Sequence, residues 1–289
     1  MITKTMLKKV MCAVLIGCTV LGAAGCGSNS SEEASSSTKK VSSLDDIKKK
    51  GELVVAIETN YPPYDFVDTS KSGKTMTGID VALSEAIAKK IGVKAKIVDS
   101  NFSSLLASVS SGKVDLGMSG MTATEERAKS MDFSDPYINS KYIVIVRKDD
   151  LNKFSTIDDF NNENTKIGIE KSTTAVPVAA EDMPKAKTVV LDQIPDLLME
   201  LKQNKIDGFI VDEVIAQQYL LTNPDIVISP VVLQSPKAKM DTVVSAGNGR
   251  DNTELMKIVN EVIKEERDNG NMQKWIQEYS QLSVQNAQQ

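Results

Sequence analysis

Between residues 120 and 137 the chain reads GMTATEERAKSMDFSDPY, and this stretch gathers the groups an anion site needs. Gly120, Met121 and Thr122 follow the run 114–118. A helix start falls at Thr124-Glu125-Glu126, and Arg127 stands beside it. A guanidinium offers a rigid fork of donors that pairs with a carboxylate through two hydrogen bonds. Exposed N–H groups at a helix start favour the same sign of charge. The plainer alternative is a capping box, Thr122-x-x-Glu125, with Arg127 as a solvated surface charge.

A second constellation lies at 58–64. Glu58 precedes Tyr61 by three residues in Glu58-Thr59-Asn60-Tyr61-Pro62-Pro63-Tyr64, where two prolines stiffen the loop. A carboxylate beside an aromatic wall is a receptor for a guanidinium or an ammonium. The alternative is a glutamate exposed at a strand end and a tyrosine in ordinary packing. Asp212, at the end of the run 207–211, either faces a cleft or caps the helix beginning at Glu213.

Composition excludes several chemistries. The 289 residues contain no histidine, so neither a Ser-His-Asp or Cys-His nucleophile nor a His-ligated metal is available. Cys12, Cys18 and Cys26 all lie near the N-terminus, which leaves the body without a disulfide or a thiolate metal site. No GxxxxGK[ST] phosphate loop occurs, and no cofactor is expected. Without residues 1–25, which carry Lys4, Lys8 and Lys9 and no acid, 31 basic residues face 39 acidic ones, a net −8. That balance argues against nucleic acid as a partner.

The first 25 residues read as an export signal. A basic start is followed by a largely apolar stretch, 10–21, and by Ala23-Ala24-Gly25-Cys26, small residues before a cysteine. The pattern is that of a lipoprotein, with Cys26 acylated and the chain held on the bilayer. Leu15-Ile16-Gly17-Cys18 is the alternative and leaves a shorter apolar segment. Residues 26–43 are Ser-rich, nearly devoid of apolar side chains, and are expected to be a flexible tether.

The candidate residues need a scaffold, and the body supplies alternating signals. Strands are expected at 53–57, 93–98, 114–118, 142–146, 166–169, 188–191, 207–211 and 241–245. Helices are expected at 80–91, stopped by Gly92, and at 102–109, 175–180, 194–203, 213–221, 253–269 and 271–279. Such alternation argues an α/β fold with mainly parallel sheets. Two series in one chain suggest two lobes, and ligands of open α/β sheets bind beyond the carboxyl ends of strands.

The segments GELVVAIETNYPPYDF (51–66), GIDVALSEAIAKKIG (78–92), FSSLLASVSSGKVDLGMSGMTATEERAK (102–129) and KIGIEKSTTA (166–175), in this order and spacing, resemble the polar amino-acid-binding proteins of bacterial ABC importers. The resemblance runs from about Gly51 to Tyr279. It implies the hinged two-lobe fold of type II periplasmic binding proteins. Residues 44–136 and 241–289 would form lobe 1, and 137–240 lobe 2, with crossing strands near 137–147 and 238–244 as the hinge.

It also implies site roles. Tyr61 and Phe102 become aromatic walls, and Ser119, Gly120 and Thr122 contacts to the ligand's ammonium and carboxylate. Arg127 becomes the carboxylate clamp, Thr173 and Thr174 the second lobe's carboxylate contact, and Asp212 the partner of the α-ammonium. For the two threonines, helix capping is the alternative and coexists with that role. Ala175 departs from relatives with a polar residue there, and Lys171 is expected to be exposed. The run 56–64 is similar to the arginine-binding branch, with Glu58 facing the ligand's distal cation; glutamine and cystine remain alternatives. The implied partners are a free amino acid, a membrane permease and, through the Cys26 acyl chains, the bilayer, with the protein a monomer. An enzyme on this scaffold, a dehydratase using Glu58 as acid, and a sensor docking on a receptor are the competing classes.

Overall fold

The computed structural model describes residues 40–287 except Lys71, Ser72 and Lys74. The export signal with Cys26, and the tether as far as residue 39, lie outside the described residues. Lys40–Gln289 form one compact unit.

Two sheets organise that unit. The first has the order Lys94–Asp99, Glu52–Ile57, Leu116–Gly117, Ser245–Gly247 and Met131–Phe133. Glu52–Ile57 runs parallel to Lys94–Asp99 and to Leu116–Gly117. Its Leu53, Val55 and Ile57 are completely buried, so the strand is locked in register by its apolar residues. The helix Ile79–Ile91 supplies the crossover between the first two strands and ends at Gly92, φ 88°, where a left-handed turn frees the chain.

The second sheet has the order Lys187–Leu191, Lys166–Glu170, Gly208–Asp212, Ile138–Arg147 and Ile226–Ile228. Lys239–Thr242 pairs with the start of Ile138–Arg147. Here the expectation of mainly parallel pairing is corrected. Gly208–Asp212, Ile226–Ile228 and Lys239–Thr242 all pair antiparallel with the ten-residue strand Ile138–Arg147. That strand enters the sheet directly from the first series, without a helical crossover, and so runs against its neighbours. The expected strand 241–245 is likewise two pieces, Lys239–Thr242 in one sheet and Ser245–Gly247 in the other.

Several elements lay beyond the sequence reading, and the last expected helix is longer than read. A small antiparallel sheet joins Asn60–Tyr61, Asp65–Asp68 and Thr75–Thr77. The helix Ser43–Lys50 begins the folded body, with Ser42 as its N-cap and Ser43 buried, its hydroxyl donating to the Asp251 carbonyl. Ser42 and Ser43 therefore do not belong to the expected tether. The C-terminal helix Asn271–Ala287 extends well past residue 279 and packs on the helix Glu213–Thr222. Gln218 Nε2 donates to Ser280 Oγ and Ser283 Oγ to Gln218 Oε1, each at 3.0 Å. Among the described residues no helix is long and apolar enough to cross a membrane.

Candidate functional site

The carboxyl end of Glu52–Ile57 delivers Glu58 into the interior. Its N–H donates to Ser119 Oγ at 3.0 Å, and the side chain is buried, with Oε1 lacking any partner. The neighbouring strand end delivers Ser119 and Gly120, both at positive φ, 89° and 61°. Gly120 is required: a Cβ there would sit 2.6 Å from Tyr61 Cε1. Tyr61 in turn stacks on Tyr64, centroids 5.8 Å apart.

Ser119 is held from below. Its N–H donates to Asp80 Oδ2 and its hydroxyl to Asp65 Oδ2, each at 2.6 Å, while Tyr137 donates to Asp80 Oδ1 at 2.7 Å. Its side chain is thereby committed to the scaffold. Burial pushes Asp65 well above the usual carboxylate range and Asp80 up to about 6, the latter moderated by the Tyr137 and Ser119 hydrogen bonds.

Arg127 sits on the short helix Glu125–Ala128, whose N-cap is Thr124, its hydroxyl accepting from Arg127 N at 3.1 Å. The cap is therefore not Thr122, whose Oγ1 is buried without a partner. The Arg127 guanidinium donates to Thr122 O at 2.6 Å and, across to the second series, to Ser172 O at 3.0 Å. Its Cζ lies 5.2 Å from the centre of the Phe102 ring. Among the described residues no carboxylate is within ion-pair distance of it, and burial lowers its proton affinity.

From the second sheet come Glu170, Thr173 and Thr174. Thr173 Oγ1 donates to the Glu170 carbonyl at 2.7 Å, and Thr174 Oγ1 lies 3.0 Å from Tyr142 OH. Neither threonine hydroxyl caps the following helix, Ala175–Asp182. Lys171 is exposed and pairs with Asp192 at 3.4 Å, pointing its charge away from the interior.

Glu58, Tyr61, Phe102, Ser119, Gly120, Thr122, Arg127, Thr173 and Thr174 line a single narrow cavity together with Tyr142, Glu170 and Met240. Asp212 is not brought to this wall. It is fully buried as the N-cap of Glu213–Thr222, accepting from Val214 N at 2.7 Å and Ser140 Oγ at 2.6 Å. Burial still pushes it up to about 6.

Sequence reasoning missed Tyr142, Met240 and, most consequentially, Glu170. It ends a strand as Glu58 does, and that position was the available signal. It is buried, its Oε1 has no partner, and burial with the nearby Glu58 charge drives it well above the carboxylate range. Glu58 is pushed up to about 8, by burial first and by Asp99 second. A buried polar atom without a partner is uncommon in a folded protein. Three of them, on Glu58, Thr122 and Glu170, face this one cavity.

The conformation is closed. Ser103 Oγ and Ser172 Oγ lie 3.0 Å apart, and Tyr219 OH donates to Asn60 O at 3.4 Å, so the two series touch at these two points as well as through Arg127 and Ser172.

The buried acids also set a pH dependence for the ligand-free protein. Asp80, Asp212 and Glu58 bind protons more tightly folded than unfolded. Their contribution to stability is thus complete below pH about 4, falls as pH rises towards about 8, and is constant above. The melting temperature without ligand should decline from pH 5 to pH 8; a rise over that range would contradict the burial of these groups.

Residues 53–281 match the sequence pattern of the bacterial extracellular solute-binding proteins, family 3. The chain belongs to that family. This solute-binding protein is 30% identical over 270 residues to the arginine-binding extracellular protein ArtP of Bacillus subtilis (strain 168), covering 93% of this chain and 96% of the relative. It is 28% identical over 230 residues to the L-cystine-binding protein TcyJ of Escherichia coli (strain K12), covering 80% and 83%. Among solved structures, an amino acid ABC transporter substrate-binding protein, AbpA of Streptococcus pneumoniae bound to L-arginine, superimposes with a TM-score of 0.78 at 30% identity, covering 83% of this chain and 99% of that one. The fold of this solute-binding protein is thus the two-lobe α/β fold of type II periplasmic binding proteins.

Proposed function

We propose that this solute-binding protein is the extracytoplasmic binding lipoprotein of an amino-acid ABC importer, capturing arginine or lysine and delivering it to a membrane permease. The observation that carries the reading is the polarity of the cavity: a half-buried guanidinium with no carboxylate partner among the described residues, and two buried carboxylates with unpartnered oxygens. A basic amino acid has the complementary charges, a carboxylate for Arg127 and a distal cation for Glu58. Tyr61 and Phe102 are the aromatic walls, and Thr122, Thr173 and Thr174 supply hydroxyl contacts. Ser119 and Gly120 shape the floor. Asp212 acts through Ser140 and the helix it caps rather than as a direct partner of the α-ammonium.

Lobe 1, residues 44–136 and 241–289, and lobe 2, 137–240, would open and close about the paired strands Ile138–Arg147 and Lys239–Thr242. A thermal-shift screen of the twenty amino acids with cystine and ornithine tests the ligand class. Arginine, lysine and ornithine should give the largest shifts; a largest shift with glutamine or cystine would replace the basic assignment. The raised Glu58 also suits a general acid, the dehydratase reading. Recovery of the bound amino acid unchanged separates binding from that chemistry.

The anchor has its own test. Cys26→Ser should release the protein from the membrane fraction, because two or more acyl chains hold a protein stably where one is marginal. Cys18→Ser should leave it bound. Release by Cys18→Ser alone would move the lipidated residue to Cys18.

A further inference from the structure

Glu58 follows a strand of the first sheet and Glu170 ends a strand of the second, so the cavity receives one carboxylate from each. Both are buried, both carry an oxygen without a partner, and among the described residues neither forms an ion pair with a lysine or arginine. Arg127 does not neutralise them: it forms no ion pair with either, and the bonds it makes go to two carbonyls, Thr122 O and Ser172 O, which leaves further N–H donors free for a ligand.

Apart from Arg127, the groups facing the pair from other elements among the described residues add no positive charge. Asp99, at the end of Lys94–Asp99, accepts from Thr59 N at 3.1 Å and repels Glu58. Asp192 repels it also, but is paired with Lys171. Tyr219 on the helix Glu213–Thr222, and Tyr61 and Tyr142 beside Glu170, are neutral. The Phe102 N–H is the one donor that favours ionised Glu58. Two buried, unpaired carboxylates in one cavity do not readily ionise together, because each raises the other's affinity for a proton.

We propose that Glu170 is a second specificity-determining residue, and that Glu58 and Glu170 together exchange a bound proton for the distal cation of the ligand. This rests on the basic amino-acid reading. The proton passes from a carboxyl to solvent as the ligand's guanidinium or ammonium takes its place, and no covalent bond changes. Because the carboxylates come from different sheets, closure without a cation brings like charges together. A neutral amino acid leaves the proton where it is. The site therefore distinguishes cationic from neutral ligands by what it gives up as well as by what it contacts.

The test is titration calorimetry of the whole protein with arginine at pH 7 in buffers of different ionisation enthalpy. The expected result is release approaching about one proton per arginine, with affinity rising up to ~10-fold per pH unit between about pH 6 and 7 and levelling above about pH 8. Glutamine, if it binds, should release none. In Glu170→Gln the release should shrink and the preference for arginine over glutamine narrow by ~10-fold or more. Arginine binding whose heat is the same in every buffer would overturn the proton exchange and leave the proposed function standing. Failure of the wild type to bind arginine, lysine or ornithine would overturn both. Should Glu170→Gln fail to fold by circular dichroism, the wild-type buffer series decides alone.

Discussion

Arg127→Ala is expected to weaken amino-acid binding by ~3–5 kcal/mol, the range for removing one partner of a buried charge pair. The guanidinium is the cation of the cavity wall, half enclosed by the Phe102 ring and held by two carbonyls, Thr122 O and Ser172 O. Those bonds fix its plane before a ligand arrives, so little rotamer entropy remains to be lost on binding. Without it the ligand's carboxylate is buried against Thr122, Thr173 and Thr174 with no formal charge opposite. The Ser172 contact also ties the two series together, so the alanine variant should close less readily. Arg127→Lys separates the two contributions. An ammonium keeps the charge but not the fork, and should recover part of the loss. Isothermal titration giving near-wild-type affinity for Arg127→Ala would remove this residue from the site.

The motif from Gly120 to Arg127 was legible because its chemistry is local. A strand end, a glycine at positive φ and a capped short helix are all set within ten residues, and the structure places Gly120, Thr122 and Arg127 on one wall. Glu58 was legible for the same reason, as the residue after an unbroken apolar strand. Asp212 was read through the resemblance and from its place at a strand end. That signal does not reveal that Ser140 and the Val214 N–H already bond its Oδ1, with Tyr64 OH 3.5 Å from its Oδ2. Glu170 sits in an equivalent position, and its neighbours in sequence, Lys171 and Ser172, are exposed, so nothing local marks it as buried. What buries it is a wall that also holds Glu58 and Phe102, far away along the chain. The strand Asn60–Tyr61 was invisible for a different reason: two residues beside a proline pair carry no periodicity. The antiparallel entry of Ile138–Arg147 is likewise a property of topology, which the alternation of strand and helix signals does not encode.

Glu58→Gln should change which ligands bind more than how well the cavity binds in general. Glutamine is nearly the same shape as glutamate, so Tyr61, Phe102 and the Ser119 contact to the backbone of residue 58 remain in place. What is lost is the ionised form. Affinity for arginine or lysine should fall by roughly 1–3 kcal/mol, the scale of a charge-assisted hydrogen bond. Glu170 limits the loss, since one carboxylate still faces the ligand's distal group. A neutral amino acid should lose less, because its carboxylate contact with Arg127 is untouched and it makes no ion pair at residue 58. The variant also removes a buried acid whose proton affinity burial has raised, so the ligand-free protein should lose less stability than the wild type as pH rises towards about 8. The decisive quantity is the ratio of cationic to neutral affinities, measured by competition against one labelled ligand. A uniform fall across ligands would make Glu58 a structural residue of the strand end, and an unchanged ratio would pass the recognition of the distal cation to Glu170.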